Sequence, residues 1–178
     1  MAEVIQLESF KRKQAAMRGF KTWSKRFGEN LDEKTRLSDL SDRTLAFLIS
    51  PGDQNIFALY ELVMGVKNLG SASQFFHLDK LTKMEVIEIA IHLLDQLRFE
   101  CMRRLNWLAR ETGQPPPIVE LIEQYPGLGK QRRLSVPALS SSHPTYKTYQ
   151  KLSAFDKEAF VRKQIPAAIH AFKKRAGE

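Results

Sequence analysis

One cysteine, Cys101, is the chain's whole thiol inventory. No intramolecular disulfide can form, and its position inside a helical pattern predicts a buried, inert thiol in a reducing compartment. Long hydrophobic runs are also missing. Nothing approaches the roughly 18 uninterrupted apolar residues of a membrane span, and the opening MAEVIQLESFKRK, with Glu3 and Glu8, has no apolar stretch of the kind a secretion signal needs. Together these absences predict a cytoplasmic protein without a transmembrane segment. No segment sustains a convincing strand pattern either.

What the chain does have is an ordinary globular balance of 43% apolar and 27% charged residues over 178 positions. That length suits one domain, 1–178, able to bury a core without a disulfide or metal staple. The net charge of +8 is unevenly spread. Residues 1–28 hold seven Lys/Arg against two acids, residues 29–127 hold ten against fifteen, and residues 128–178 hold eleven against three. A basic head and a basic tail thus flank an acidic middle. The ends either meet an external polyanion or dock on the protein's own acidic centre.

Helical periodicity organises the rest into an all-α, irregular bundle of about six helices. The first, from about Val4 to Phe27, places Lys11, Gln14, Arg18, Lys21 and Lys25 at spacings of 3, 4, 3 and 4, a basic stripe on one face. Leu7, Phe10, Met17, Phe20 and Phe27 make the neighbouring apolar stripe, with Trp23 at its margin. Ser38 and Ser41 are candidate caps of a second helix that stops before Pro51. A third opens near Ser50 and Asp53, runs to Gly70, and is apolar enough to be the central helix. A short turn is expected in SASQFF.

Thr82 and Glu85 have the spacing of a capping box and predict one long helix over about 82–112, on the order of 45 Å long. Met84, Ile87, Ile91, Leu94, Cys101, Leu105 and Leu108 form its expected buried row. A short helix follows Pro117, and the last begins at Ser153 with Pro166 inside it. The stretch 126–144, rich in Gly, Ser, Pro and Arg, predicts an exposed or flexible basic loop.

Three patterns bear on chemistry. Gly129-Lys130 resembles the centre of a phosphate-binding loop, but Gln124 and Gln131 stand where that motif needs glycine and Ser/Thr. Arg132, Arg133 and Ser135 have the spacing favoured by basophilic kinases, which makes Ser135 a candidate phosphosite. Glu85, Glu88, His92 and Asp95 share one face of the long helix and could ligate a metal, which gives the alternative reading of a small helical metal-dependent enzyme. The same row also suits a solvated face. His77, His143 and His170 are scattered and assemble no catalytic triad.

The cations remain: Lys11, Arg18, Lys21 and Lys25 on the first helix, Lys130, Arg132 and Arg133 in the loop, Lys147 and Lys151 beside Tyr146 and Tyr149, and Lys173, Lys174 and Arg175 at the end. Cations interleaved with aromatics suit phosphate backbones and stacked bases. The sequence therefore predicts a non-enzymatic interaction or regulatory protein that needs no cofactor. Its basic ends would contact nucleic acid or an acidic protein partner, and homodimerisation through the first or the long helix is a further expectation.

Overall fold

The first helix, α1 (Ala2–Phe27), shows how the core is chosen. Its buried face is Ala15, Ala16, Gly19, Phe20 and Trp23, with Phe27 half-buried. Trp23 is therefore central rather than marginal, fully buried with its indole N–H donating to the Ala58 carbonyl at 2.8 Å. Leu7, Phe10 and Met17, expected in the buried stripe, are exposed. The small residues Ala15, Ala16 and Gly19 let a neighbouring helix come close on their side of α1, and that neighbour selects which face is covered.

The computed structural model describes residues 2–130 and 136–177, the side chains of residues 2–6 and 12 aside. Among these residues every regular element is helical. After α1 come α2 (Asp42–Ile49), α3 (Asp53–Val66), α4 (Lys80–Arg104), α5 (Ile118–Glu123), α6 (Tyr146–Gln150) and α7 (Ala154–Ala176), with 3₁₀ turns at Leu37–Asp39 and Ala72–His77. No helix among the described residues is long and apolar enough to cross a membrane.

Local chemistry fixes the boundaries. Ser41 caps α2 by accepting from the Thr44 N–H at 3.1 Å, and Ser153 caps α7 by accepting from the Asp156 N–H at 3.2 Å. At α4 the cap is Asp79, which accepts from the Thr82 N–H at 3.0 Å, while Glu85 pairs with Lys67 at 3.1 Å instead of closing a box. α3 has Gly52 at its N-cap and so no side-chain cap; Ser50 donates back to the Ala46 carbonyl at 2.7 Å.

Two asparagines stop helices earlier than the glycine and proline signals predict. Asn68 (φ 56°) follows α3 and Asn106 (φ 58°) follows α4. In each case the next N–H reaches back across the last turn, Leu69 to the Met64 carbonyl and Trp107 to the Met102 carbonyl, at 2.8 and 2.9 Å. The long helix is accordingly 25 residues, ending at Arg104 rather than near 112. α7 continues through Pro166.

α1 lies along α3, and α4 packs against α2, α3 and α7. The main core gathers Phe20, Trp23, Leu45, Leu48, Leu62, Leu93, Leu97 and Phe172. A second cluster, Phe99, Met102, Leu108, Leu139, Tyr149, Val161 and Ile165, joins the end of α4 to α6 and α7. Each fully buried large side chain contributes roughly 1.5–3 kcal/mol relative to exposure. Leu139 sits in the middle of the stretch expected as an exposed loop. The Ala109 N–H donates to the Ala138 carbonyl and the Ser140 N–H to the Trp107 carbonyl, both at 2.8 Å, which pins that half of the stretch to the core.

Candidate functional site

The acidic row of α4 is divided among separate tasks. Glu85 pairs with Lys67 across to the end of α3. Glu88 accepts from the Tyr125 hydroxyl at 2.6 Å and from the Gly129 N–H at 3.0 Å, and these bonds hold its carboxyl below the usual carboxylate range. Asp95 accepts from Arg162 on α7 at 2.8 Å and lies 3.7 Å from Arg98. His92 is buried beside the Tyr125 ring, and burial pushes its imidazole below its ordinary value against the opposite pull of Asp95. Among the described residues no three His, Cys, Asp or Glu side chains converge as metal ligands would. The four residues tie α4 to its neighbours, and the open side of the helix is apolar instead, with Leu81, Met84, Ile87 and Ile91 exposed. The first three residues of the expected buried row, Met84, Ile87 and Ile91, thus point outward, because Val86, Ile89, Ala90, Leu93 and Leu97 are the residues that meet the core there, while Cys101 and Leu108 of that row are buried as expected.

The basic tail is partly spent inside the fold. Arg175 donates to Asp42 at 3.0 Å and to the Arg104 carbonyl at 2.8 Å, and Arg104 donates to the same Asp42 at 2.8 Å. Burial pushes Asp42 up, but these two guanidiniums outweigh it and hold the carboxyl low. Lys174 is exposed and Lys173 half-buried. On α6 and at its C-terminal end, Lys147 and Lys151 are exposed, and Tyr146 and Tyr149 stack with ring centroids 6.0 Å apart. Lys130 is exposed just after the Gly129 contact with Glu88; Arg132, Arg133 and Ser135 lie outside the described residues.

The head behaves differently. Lys11, Arg18, Lys21 and Lys25 are all exposed, and none forms an ion pair among the described residues. Arg26, on the flank of α1, is engaged instead, with Glu61 at 2.6 Å.

Arg18, Lys21 and Lys25 line one wall of a groove of about 710 Å³ between α1, α3 and the 3₁₀ turn at Ala72–His77. Its floor is made by Gly19 and Gly65, where the two helix backbones almost touch: a Cβ on Gly65 would stand 3.0 Å from the Gly19 Cα. The facing wall carries Asn68, Ser71, Ser73 and Gln74. The Gln74 side-chain oxygen accepts from the Ser71 N–H at 3.3 Å, and the Ser71 and Ser73 hydroxyls lie 2.7 Å apart. Phe57, 38% exposed, also lines the groove. On another flank of α1, a second groove of about 430 Å³ is lined by Glu8, Glu33, Glu120 and Glu123 with Lys13. Cationic and anionic surfaces thus border the same helix.

The cation stripe was readable from its 3-4 spacing, but the polar wall opposite it was not. The sequence marks a short turn in SASQFF, and nothing local says that this turn comes to lie across from α1. No family model, curated protein or solved structure matches the chain.

Proposed function

We propose that this is a non-enzymatic interaction protein that holds a single-stranded nucleic acid on the cationic face of α1. One observation carries the reading: Lys11, Arg18, Lys21 and Lys25 stand in a row on an exposed face with no ion pair among the described residues, while Arg104, Arg162 and Arg175 are committed to internal carboxylates. An unpaired row of this kind raises the local concentration of a polyanion and releases condensed counterions on contact. Exposed Phe10 and Phe57 add ring surface of the sort on which unstacked bases rest. The single buried cysteine fits work in a reducing cytoplasm.

The test is fluorescence anisotropy with labelled single-stranded DNA and RNA 20-mers, titrated with salt. Four phosphate contacts predict log Kobs falling with log salt at a slope of about −3. Absence of binding to either oligonucleotide at low salt rejects the reading. Binding of polyglutamate in their place assigns the surface to an acidic protein partner.

A further inference from the structure

Polyanion binding by a row of lysines needs no cavity; a flat basic face suffices. This protein has more than a flat face, because the row forms one wall of a groove whose other wall is neutral and rich in hydrogen-bonding groups. We propose that the groove between α1, α3 and the 3₁₀ turn is a nucleotide-reading cleft, with strand phosphates along Arg18, Lys21 and Lys25 and the bases turned toward Asn68, Ser73 and Gln74. This assignment rests on the function proposed above and adds where, and by which groups, the strand is held.

The asymmetry of the walls carries the argument. Arg18, Lys21 and Lys25 are separated by three and four residues, so their roots advance by about 4.5 and 6 Å along the helix axis, a continuous cationic edge. Carboxamides and hydroxyls, by contrast, attract no counterion but pair with the donor and acceptor edges of bases and with sugar hydroxyls. Glu61, the one carboxylate among the described residues that line the groove, is neutralised by Arg26 at 2.6 Å, so it does not repel a phosphate. Gln74 has its oxygen held by the Ser71 N–H, which leaves its amide nitrogen as a donor without a hydrogen-bond partner among the described residues. Gly70 is what allows this placement: any Cβ there would stand 1.7 Å from the Gln74 side-chain oxygen. Phe57 gives the cleft an aromatic face on which a base can stack. A volume of about 710 Å³ falls within the range of pockets that take small organic ligands.

The experiment uses the full chain and a labelled single-stranded 12-mer. Four proteins are compared: the wild type, Phe57→Ala, Lys21→Ser, and the double variant Lys147→Ser/Lys151→Ser, which removes two exposed cations outside the cleft. Each is checked for an unchanged circular dichroism spectrum and melting temperature. Phe57→Ala is expected to weaken binding by about tenfold with the salt slope unchanged, as for loss of one stacked base. Lys21→Ser is expected to reduce the salt slope by about 0.7. The α6 double variant is expected to bind as wild type. Binding that survives both cleft substitutions but falls in the α6 variant overturns the cleft while leaving nucleic-acid binding intact. Failure of the wild type to bind at all overturns both. Competition by polyglutamate that is indifferent to Phe57→Ala assigns the groove to an acidic peptide and overturns the nucleotide assignment.

Discussion

Gly65 on α3 faces Gly19 on α1 so closely that a Cβ added to Gly65 would meet the Gly19 Cα at 3.0 Å, the Gly19 nitrogen at 3.1 Å and the Ala15 carbonyl at 3.2 Å. All three neighbours are backbone atoms, which cannot swing aside as a side chain can. Gly65→Ala should therefore push α1 away from α3 and cost about 1–3 kcal/mol, despite the better helix propensity of alanine. Urea denaturation measures this, and an unchanged midpoint would contradict the close crossing. Because the same glycines floor the groove, the variant should also weaken oligonucleotide binding.

Arg104 and Arg175 share Asp42 but should not matter equally. Arg104 also bonds Glu100 at 3.0 Å and the Leu37 carbonyl at 2.9 Å, and its side chain is only 16% exposed. Arg175 is 44% exposed, where screening by water and salt leaves an ion pair at most about 1 kcal/mol. Arg104→Ala is expected to cost on the order of 2–3 kcal/mol, since it strands several acceptors at once. Arg175→Ala should cost less than half of that. Equal losses in chemical denaturation would show that Asp42 alone accounts for both.

Acid should destabilise the fold in two stages. Burial lowers the imidazoles of His92 and His143 below the ordinary value of 6.5. Their stabilising contribution is complete above that value and is lost as pH falls, because the unfolded chain takes up protons that the folded chain resists. Glu29 is the second stage, together with Asp42. Burial pushes Glu29 up, yet hydrogen bonds from Ser41 and Thr44 prevail and leave it below 4.5. Carboxylates held low contribute above their unfolded values and lose that contribution below them. Urea midpoints should fall between pH 7 and 5.5 and fall again below pH 4.5, and His92→Gln should flatten the first decline.

Much of this architecture was legible in the sequence. Ser41 and Ser153 announced their helices because capping is local chemistry, readable within four residues. The basic stripe of α1 was equally plain. Which apolar stripe goes inward was not: Met84, Ile87 and Ile91 have as good a period as Val86, Ile89 and Leu93, and only the positions of α2, α3 and α7 decide between them. The helix ends at Asn68 and Asn106 carry no clear mark in the sequence, because asparagine adopts the left-handed conformation far less regularly than glycine. The groove depends on residues from 15 to 74 meeting across two helices, a tertiary fact with no local trace.

Cys101 should be chemically silent in the native protein. It is fully buried, its thiol lies 3.8 Å from the Ala168 carbonyl, and burial pushes its pKa up to about 12. Reaction with a disulfide reagent at pH 8 should be slower than for an unfolded thiol by roughly a thousandfold from the thiolate fraction alone, before access is considered. In urea one thiol per chain should appear at once. A fast native reaction would place Cys101 at the surface.

Glu88 holds the start of the basic segment by two bonds, from the Tyr125 hydroxyl at 2.6 Å and the Gly129 N–H at 3.0 Å. Both are made to a charged acceptor, and the second fixes the backbone immediately before the exposed Lys130. Trypsin must draw the chain around its scissile bond into an extended form, which the Gly129 contact opposes. Glu88→Ala should therefore speed tryptic cleavage after Lys130 by about three- to tenfold while leaving the melting temperature nearly unchanged. Glu88→Gln, which keeps an oxygen acceptor but not its charge, should fall between the two. Cleavage rates identical in all three proteins would mean that the segment is held by contacts other than Glu88.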